Sequence, residues 1–346
     1  MTRALVALLL LLVPWTLSAA VASLRSLEGD VTVLRGGQWI PSDRLADGFL
    51  LEPFDTVSTG GNGKADIRLA SSTGLDGVIH LDPETTLYVD ISPWKKEQTV
   101  GVELLVGAVS VFVSSANGAS QVEVRTDTGT FGGIGPQFRV VLVPSGDVLV
   151  ATQAGQTTCR VGGRVVSSDP SSLVEALLLE RSVRTIPVNV STSAAAVQSW
   201  ALQRNKQFRD HSDGEFKALV SRYLRQAGLF QRAWARVNAS GGDDLRTKQV
   251  ATANLRRVAF PLERSLPRVS SLKRLLTEGV LAPDVELLRN YNAKSFFADD
   301  ADDALALAAR LGEARALYRD LADRNGGDFP SASDGSAVTW DSPFFN

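Results

Sequence analysis

Val102-Glu103-Leu104-Leu105-Val106-Gly107-Ala108-Val109-Ser110-Val111-Phe112-Val113 decides the fold of this chain. Apolar and more polar residues alternate along it, β-branched side chains are frequent, and no helical period runs through it, so it reads as strand. Gly107 lies between two apolar segments and allows a bend or bulge there.

The same texture extends on both sides. Upstream lie Gly29-Asp30-Val31, Gly48-Phe49-Leu50, Asp55-Thr56-Val57-Ser58-Thr59-Gly60, Ala65-Asp66-Ile67-Arg68-Leu69, Val78-Ile79-His80-Leu81 and Thr86-Leu87-Tyr88-Val89. Downstream lie Val122-Glu123-Val124-Arg125-Thr126 and Phe138-Arg139-Val140, whose Phe138 and Val140 point to one face, toward a core. Turn residues separate the segments at Arg35-Gly36-Gly37, Gly60-Gly61-Asn62-Gly63, Asp76-Gly77, Asp82-Pro83, Ala116-Asn117-Gly118, Ser145-Gly146-Asp147 and Gly162-Gly163. Short strands at this spacing predict an antiparallel sandwich or a short rolled sheet over residues 23–168.

After Asp169-Pro170 the period changes to about 3.6. Phe216, Leu219, Val220, Tyr223, Leu224, Ala227, Phe230, Trp234 and Val237 share one helical face, with Asp213 as N-cap. Leu307, Leu311, Ala314, Tyr318 and Leu321 repeat the pattern, which stops at Asn325-Gly326-Gly327. The expected organisation is therefore α+β: an all-β domain at 23–168, a linker at 169–189, an all-α domain at 190–324 and a disordered tail at 325–346.

The amino terminus sets the expected compartment. Arg3, the apolar run Ala4 to Val13, Pro14 and the small residues Ala20 and Ala22 form the pattern of a secretory signal peptide over 1–22, cleaved before Ser23. The run is about half the length a spanning helix needs. A periplasmic or secreted protein is expected, with no transmembrane helix after cleavage and no nucleic-acid partner.

Composition is ordinary for a globular chain of 346 residues, with 44% hydrophobic and 21% charged residues and a net charge of −2. Charge is uneven: residues 200–290 hold 17 Lys or Arg against 9 Asp or Glu, and residues 299–346 hold 4 against 10. Solvated helix faces account for this, and contact of the basic helices with an anionic envelope polymer or a membrane surface is the sharper alternative. Cys159 is the single cysteine, so an intramolecular disulfide is excluded; a buried thiol in the strand Thr157 to Val161 is expected, with an intermolecular bridge as the alternative.

Fragments of catalytic motifs do not assemble. Gly60-Gly61-Asn62-Gly63-Lys64 lacks the spacing and the following helix of a phosphate loop and reads as a surface turn. Ser92 to Lys95 and Ser270 to Lys273 match S-x-x-K, but neither S-D-N nor K-T-G follows. The run Asp299 to Asp303 lacks the glycine and glutamate of a calcium loop, and helix N-terminal stabilisation explains it. Only His80 and His211 are present, so a histidine-rich metal site is excluded, and His80 reads as an ordinary polar strand position. No catalytic, cofactor-binding or metal-ligating residue is nominated, and no cofactor is expected. Carboxylates scattered in sequence leave a peptidoglycan- or carbohydrate-active enzyme as the alternative.

The ordered series resembles the FecR domain over about residues 28–160. The matching elements are Gly48 to Thr59 with Asp55 and Thr59, Ala65 to Leu69, Leu81 to Val89 with Thr86, Leu105-Val106-Gly107-Ala108-Val109, Val124-Arg125-Thr126, Gly135 to Val140, and Val148-Leu149-Val150 with Ala154-Gly155. Pro136 stands where the family usually has threonine. The resemblance implies an extracytoplasmic, non-enzymatic module that binds, scaffolds or relays a signal, with an envelope protein or anionic cell-wall polymer as partner. Members that act on sigma factors have a cytoplasmic segment before a membrane helix; only Met1-Thr2-Arg3 precedes the apolar run here, so direct contact with a cytoplasmic sigma factor is not expected.

Overall fold

A computed structural model describes residues 22–35, 38–52, 55–70, 76–89, 99–114, 121–133, 137–178, 180–210, 212–239, 250–259, 261–262, 266, 307, 309–314 and 317. Seventeen strands come first: β1 (Ala22–Glu28), β2 (Val31–Arg35), β3 (Gln38–Ile40), β4 (Leu50–Leu51), β5 (Thr56–Thr59), β6 (Lys64–Leu69), β7 (Asp76–Leu81), β8 (Thr86–Tyr88), β9 (Thr99–Ser114), β10 (Gln121–Arg125), β11 (Thr130–Gly133), β12 (Gln137–Leu142), β13 (Val148–Ala154), β14 (Thr157–Val161), β15 (Arg164–Ser168), β16 (Ser172–Leu177) and β17 (Ser182–Pro187). Helices α1 (Ser193–Asp210) and α2 (Ser212–Ala239) follow, and residues 250–259 and 309–314 are also helical. The chain is thus α+β.

The strands pair in two layers. The first runs β4-β1-β6-β7-β9-β12-β13-β16-β17. The second runs β3-β2-β5-β8-β9-β10-β11-β14-β15. Strand β9 belongs to both: Glu103 to Val106 pair with β8 in the second layer, and Gly107 to Phe112 pair with β12 in the first. One continuous sheet is thereby folded over on itself, which combines the sandwich and the rolled sheet expected from sequence. Val33, Val57, Leu87, Val102, Val124 and Phe131 of the second layer meet Leu24, Ile67, Ile79, Val109, Phe138 and Val150 of the first in a single buried core.

Gly107 is the crossing point. Its φ is +97°, and a Cβ there would lie 2.5 Å from the Thr85 Cα, so the bend requires glycine on two counts. Thr85 bonds the neighbouring residue at the crossing: its Oγ1 accepts from Ala108 N at 3.0 Å and donates to Ala108 O at 3.0 Å. Thr59 Oγ1 accepts from Thr85 N at 2.9 Å and donates to Asp82 O at 2.6 Å, which extends the tie to β5.

Two expectations are corrected. The ladder is not wholly antiparallel, because β10 pairs with β9 in parallel, Val122 opposite Val100 and Val124 opposite Val102. Parallel neighbours need a crossover connection, and the second half of β9, lying in the other layer, supplies it. Residues 169–189 are also not a linker, since β16 and β17 form a hairpin there. Leu173, Val174, Glu175, Ala176 and Leu177 are all buried, so the alternation that marks a half-exposed strand is missing.

The helical pattern holds where the chain is described. Tyr223, Phe230 and Val237 of α2 are buried with Leu255, Ala259, Leu262, Leu307, Leu311 and Ala314, and Ala227 and Trp234 pack beside them. The expected leader up to Val21, the acidic run, both S-x-x-K matches, Pro136 and the tail lie outside the described residues. Ala22, the last residue assigned to the leader, opens β1, where it is buried and pairs with Leu51 and Leu69.

Candidate functional site on the outer face of the first layer

On β6, β7, β9 and β12 the inward positions alternate with outward ones, and the register aligns the outward residues in a row. Asp66, His80, Ser110, Arg139, Ala151, Leu173 and Ile186 are successive cross-strand partners from β6 to β17. The row is polar at the β6 end and apolar at the β17 end, and the two halves have different fates.

Helix α1 covers the apolar half. Val197 and Trp200 pack on Ala108, Val141, Val143, Leu149, Ala151 and Leu173, flanked by Ala196 and Ala201. These helix positions fall on one face at a 3.6-residue period. The approach is short: β17 ends at Pro187, the Asn189 side chain accepts a hydrogen bond from Ser191 N, and α1 begins at Ser193.

Two carboxylates anchor the helix. Glu175 is 2% exposed; its Oε1 accepts the Trp200 indole N–H at 2.6 Å, and its Oε2 pairs with Arg184, its neighbour on β17. Asp147, also 2% exposed, accepts from Arg204 Nε at 3.0 Å and from Ser145 Oγ at 2.8 Å on Oδ2, and from Leu178 N at 2.9 Å on Oδ1. A buried carboxylate is costly unless its oxygens are satisfied by donors or opposite charge. Each acid here draws a donor from α1, so the helix helps to satisfy the sheet's own buried charges.

The polar half carries a charged cluster. His80 Nδ1 lies 2.6 Å from Asp66 Oδ1, His80 Nε2 lies 3.7 Å from Asp82 Oδ1, and Arg139 pairs with the other oxygen of Asp82. Asp66, His80 and Ser110 follow one another across three adjacent strands, in the order of an acid–base–nucleophile relay. The chemistry does not follow the order, because both imidazole nitrogens face carboxylates and neither is set to take the Ser110 proton. His80 is thus more than the plain polar strand position read from sequence; it is the hub of an ion cluster.

Another buried acid, Asp55, lies on the other layer. Asp55 caps its own turn, accepting from Glu52 N at 2.9 Å, and also accepts from Arg35 Nε at 3.0 Å and Nη2 at 2.6 Å. Arg35 further contacts the Phe49 ring at 5.0 Å and donates to Leu50 O at 2.7 Å. Burial is the largest influence on both partners. It pushes the Asp55 carboxyl up against the pull of its hydrogen bonds, whereas for Arg35 the hydrogen bond and charge of Asp55 together with the charge of Glu52 outweigh burial in sum and hold the guanidinium above its ordinary value.

Other sequence readings find their places. Gly60 to Gly63 form a tight turn, Gly63 N donating to Gly60 O at 3.0 Å. Cys159 is buried in β14, and burial pushes its thiol up to about 12. Phe138 and Val140 face the core. Sequence reasoning missed Glu175, Asp147, Trp200 and Arg204; a glutamate inside the apolar run Ser172 to Leu177 was the one signal available. Among the described residues no group of three His, Cys, Asp or Glu side chains is placed to hold a metal, and no helix is long and apolar enough to cross a membrane.

Residues 55–158 match the family model for the FecR protein, a match that runs from the Asp55 turn into β14. Two crystal structures of a putative anti-sigma factor from Parabacteroides distasonis, at 2.50 and 1.65 Å, are similar at 15% identity and a TM-score of 0.35. The match covers 41% of this chain and 64% of theirs, so this chain spans less than two thirds of their length. No protein of curated function matches the sequence.

Proposed function

We propose that this chain is an exported, non-enzymatic relay module of the cell envelope, in which the FecR-containing sandwich and the helices act as one body toward an envelope protein. The observation that carries the reading is the seat of α1: Trp200 on Glu175 and Arg204 on Asp147 couple the helix to the sheet through charges the sheet has buried. The non-enzymatic part is supported by the uses of Asp55, Asp147 and Glu175, each held by arginine and by further donors, and by the two carboxylates around His80. Such groups serve structure better than general acid–base chemistry.

In-cell crosslinking of the full chain tests this reading. The expected result is a discrete crosslinked envelope protein whose yield falls when Trp200→Ala and Arg204→Ala are combined, while the sandwich keeps its cooperative unfolding. A chain that fractionates away from the envelope and crosslinks to no envelope protein sinks the proposal.

A further inference from the structure

Helix α2 has a second face that the described residues leave exposed. From Phe216 to Ala239 it contains no aspartate or glutamate. Arg222, Arg225, Leu229, Arg232 and Arg236 are exposed and follow one another at steps of three and four residues, which keeps them on one side of the helix. Tyr223, Phe230 and Val237 face the buried cluster from a different side. Among the described residues no ion pair engages Arg225, Arg232 or Arg236. The stripe is about 21 Å long at the helical rise, of one charge sign, and centred on Leu229, which is 39% exposed.

From this we infer that α2 docks on an anionic lipid bilayer surface, lying along it with the arginines among the headgroups and Leu229 entering the headgroup–acyl boundary. Charge complementarity selects an anionic partner. Leu229 selects a bilayer over a soluble polyanion, because only a lipid surface removes that side chain from water. Arginine suits the edge of such a contact, since its stem lies against apolar surface while its head stays wet. The surface stands on α2 alone and does not depend on the relay reading.

The test is co-sedimentation of the full chain with vesicles of phosphatidylcholine alone and of phosphatidylcholine mixed with phosphatidylglycerol. Binding is expected only to the mixed vesicles, and it weakens when salt rises from about 0.1 M to about 0.5 M. Combining Arg225→Glu, Arg232→Glu and Arg236→Glu is expected to lower the partition coefficient on the order of a hundredfold. The corresponding triple change to glutamine, gentler on folding, lowers it in the same direction. Leu229→Ser is expected to cost several-fold with the salt dependence kept. Equal binding to both vesicle types, or a triple variant that binds like the unaltered chain, overturns the inference. So does binding to soluble polyphosphate that matches the vesicles and is indifferent to Leu229→Ser, which assigns the stripe to a polyanion.

Discussion

Trp200 on α1 donates its indole N–H to Glu175 on β16 over 2.6 Å, at a junction where both side chains are nearly closed to solvent. This bond joins helix to sheet at a carboxylate that also holds Arg184 of the neighbouring strand. Trp200→Phe keeps most of the packing and deletes the donor, and its expected cost is about 2 kcal/mol, the range for a hydrogen bond to a charged acceptor. Trp200→Ala adds a cavity over Leu149 and Leu173 and is expected to cost about 4 kcal/mol. Urea unfolding of both variants checks the difference; equal losses would mean the bond contributes little.

Gly107 and Gly163 form a matched pair of left-handed glycines, with φ of +97° and +79°. A Cβ at Gly107 meets the Thr85 backbone at 2.5 Å, whereas one at Gly163 meets nothing within 4 Å. Gly163→Ala is expected to cost about 1 kcal/mol from conformation alone, and Gly107→Ala about 3 kcal/mol or more once displacement of Thr85 is included. Comparable thermal shifts for the two would show that β9 crosses between layers without need of a close approach.

Asp55→Asn leaves the capping oxygen and removes the charge opposite Arg35. The guanidinium is partly exposed, at 29% of its side-chain surface, so the expected loss is about 2 kcal/mol, below the range for fully buried pairs. Arg35→Met should recover only part of that loss in the Asp55→Asn background, because it removes the guanidinium left without Asp55 but also takes the Arg35 partner away from Glu52, 3.1 Å away. A double-mutant cycle measures the coupling, and additive losses would deny the pair.

Cys159 gives a pH prediction with a definite sign. Its thiol is held up to about 12 in the folded chain, against about 8.5 unfolded. The folded state therefore keeps a proton that the unfolded state releases, so this contribution is fully present below about pH 8.5 and is lost as pH rises toward 12, by up to about 1.4 kcal/mol per pH unit. Cys159→Ala should flatten stability over that range by the same slope. In native protein at pH 8 the thiol should resist alkylation and should react once urea unfolds the sandwich; rapid native labelling would contradict its burial.

Much of the sandwich was legible because its strands obey simple rules. Ile67 and Phe138 alternate with polar neighbours, and the Gly60 turn and the Gly162-Gly163 hairpin carry their turn chemistry openly. Gly107 was read as a bend, and the structure adds that it moves β9 from one layer to the other. The hairpin of β16 and β17 was hidden because α1 buries the outer side of a strand whose inner side is already core. The candidate site was hidden for a related reason. Glu175 and Asp147 gain meaning only from Trp200 and Arg204, which lie 25 and 57 residues away, and single-sequence periodicity does not report such distances. His80 drew attention by its chemistry, but its two acidic neighbours are brought together by register across β6 and the turn after β7.

Hydrogen exchange across α1 tests the central claim most directly. If the helix belongs to the same body as the sandwich, amides in the middle of α1, around Trp200, should show protection comparable to β13 and β16. In the combined Trp200→Ala, Arg204→Ala variant that protection should collapse in α1 while β13 stays protected. An α1 that exchanges freely in the unaltered protein, with β13 and β16 protected, would contradict the coupling on which the relay reading rests.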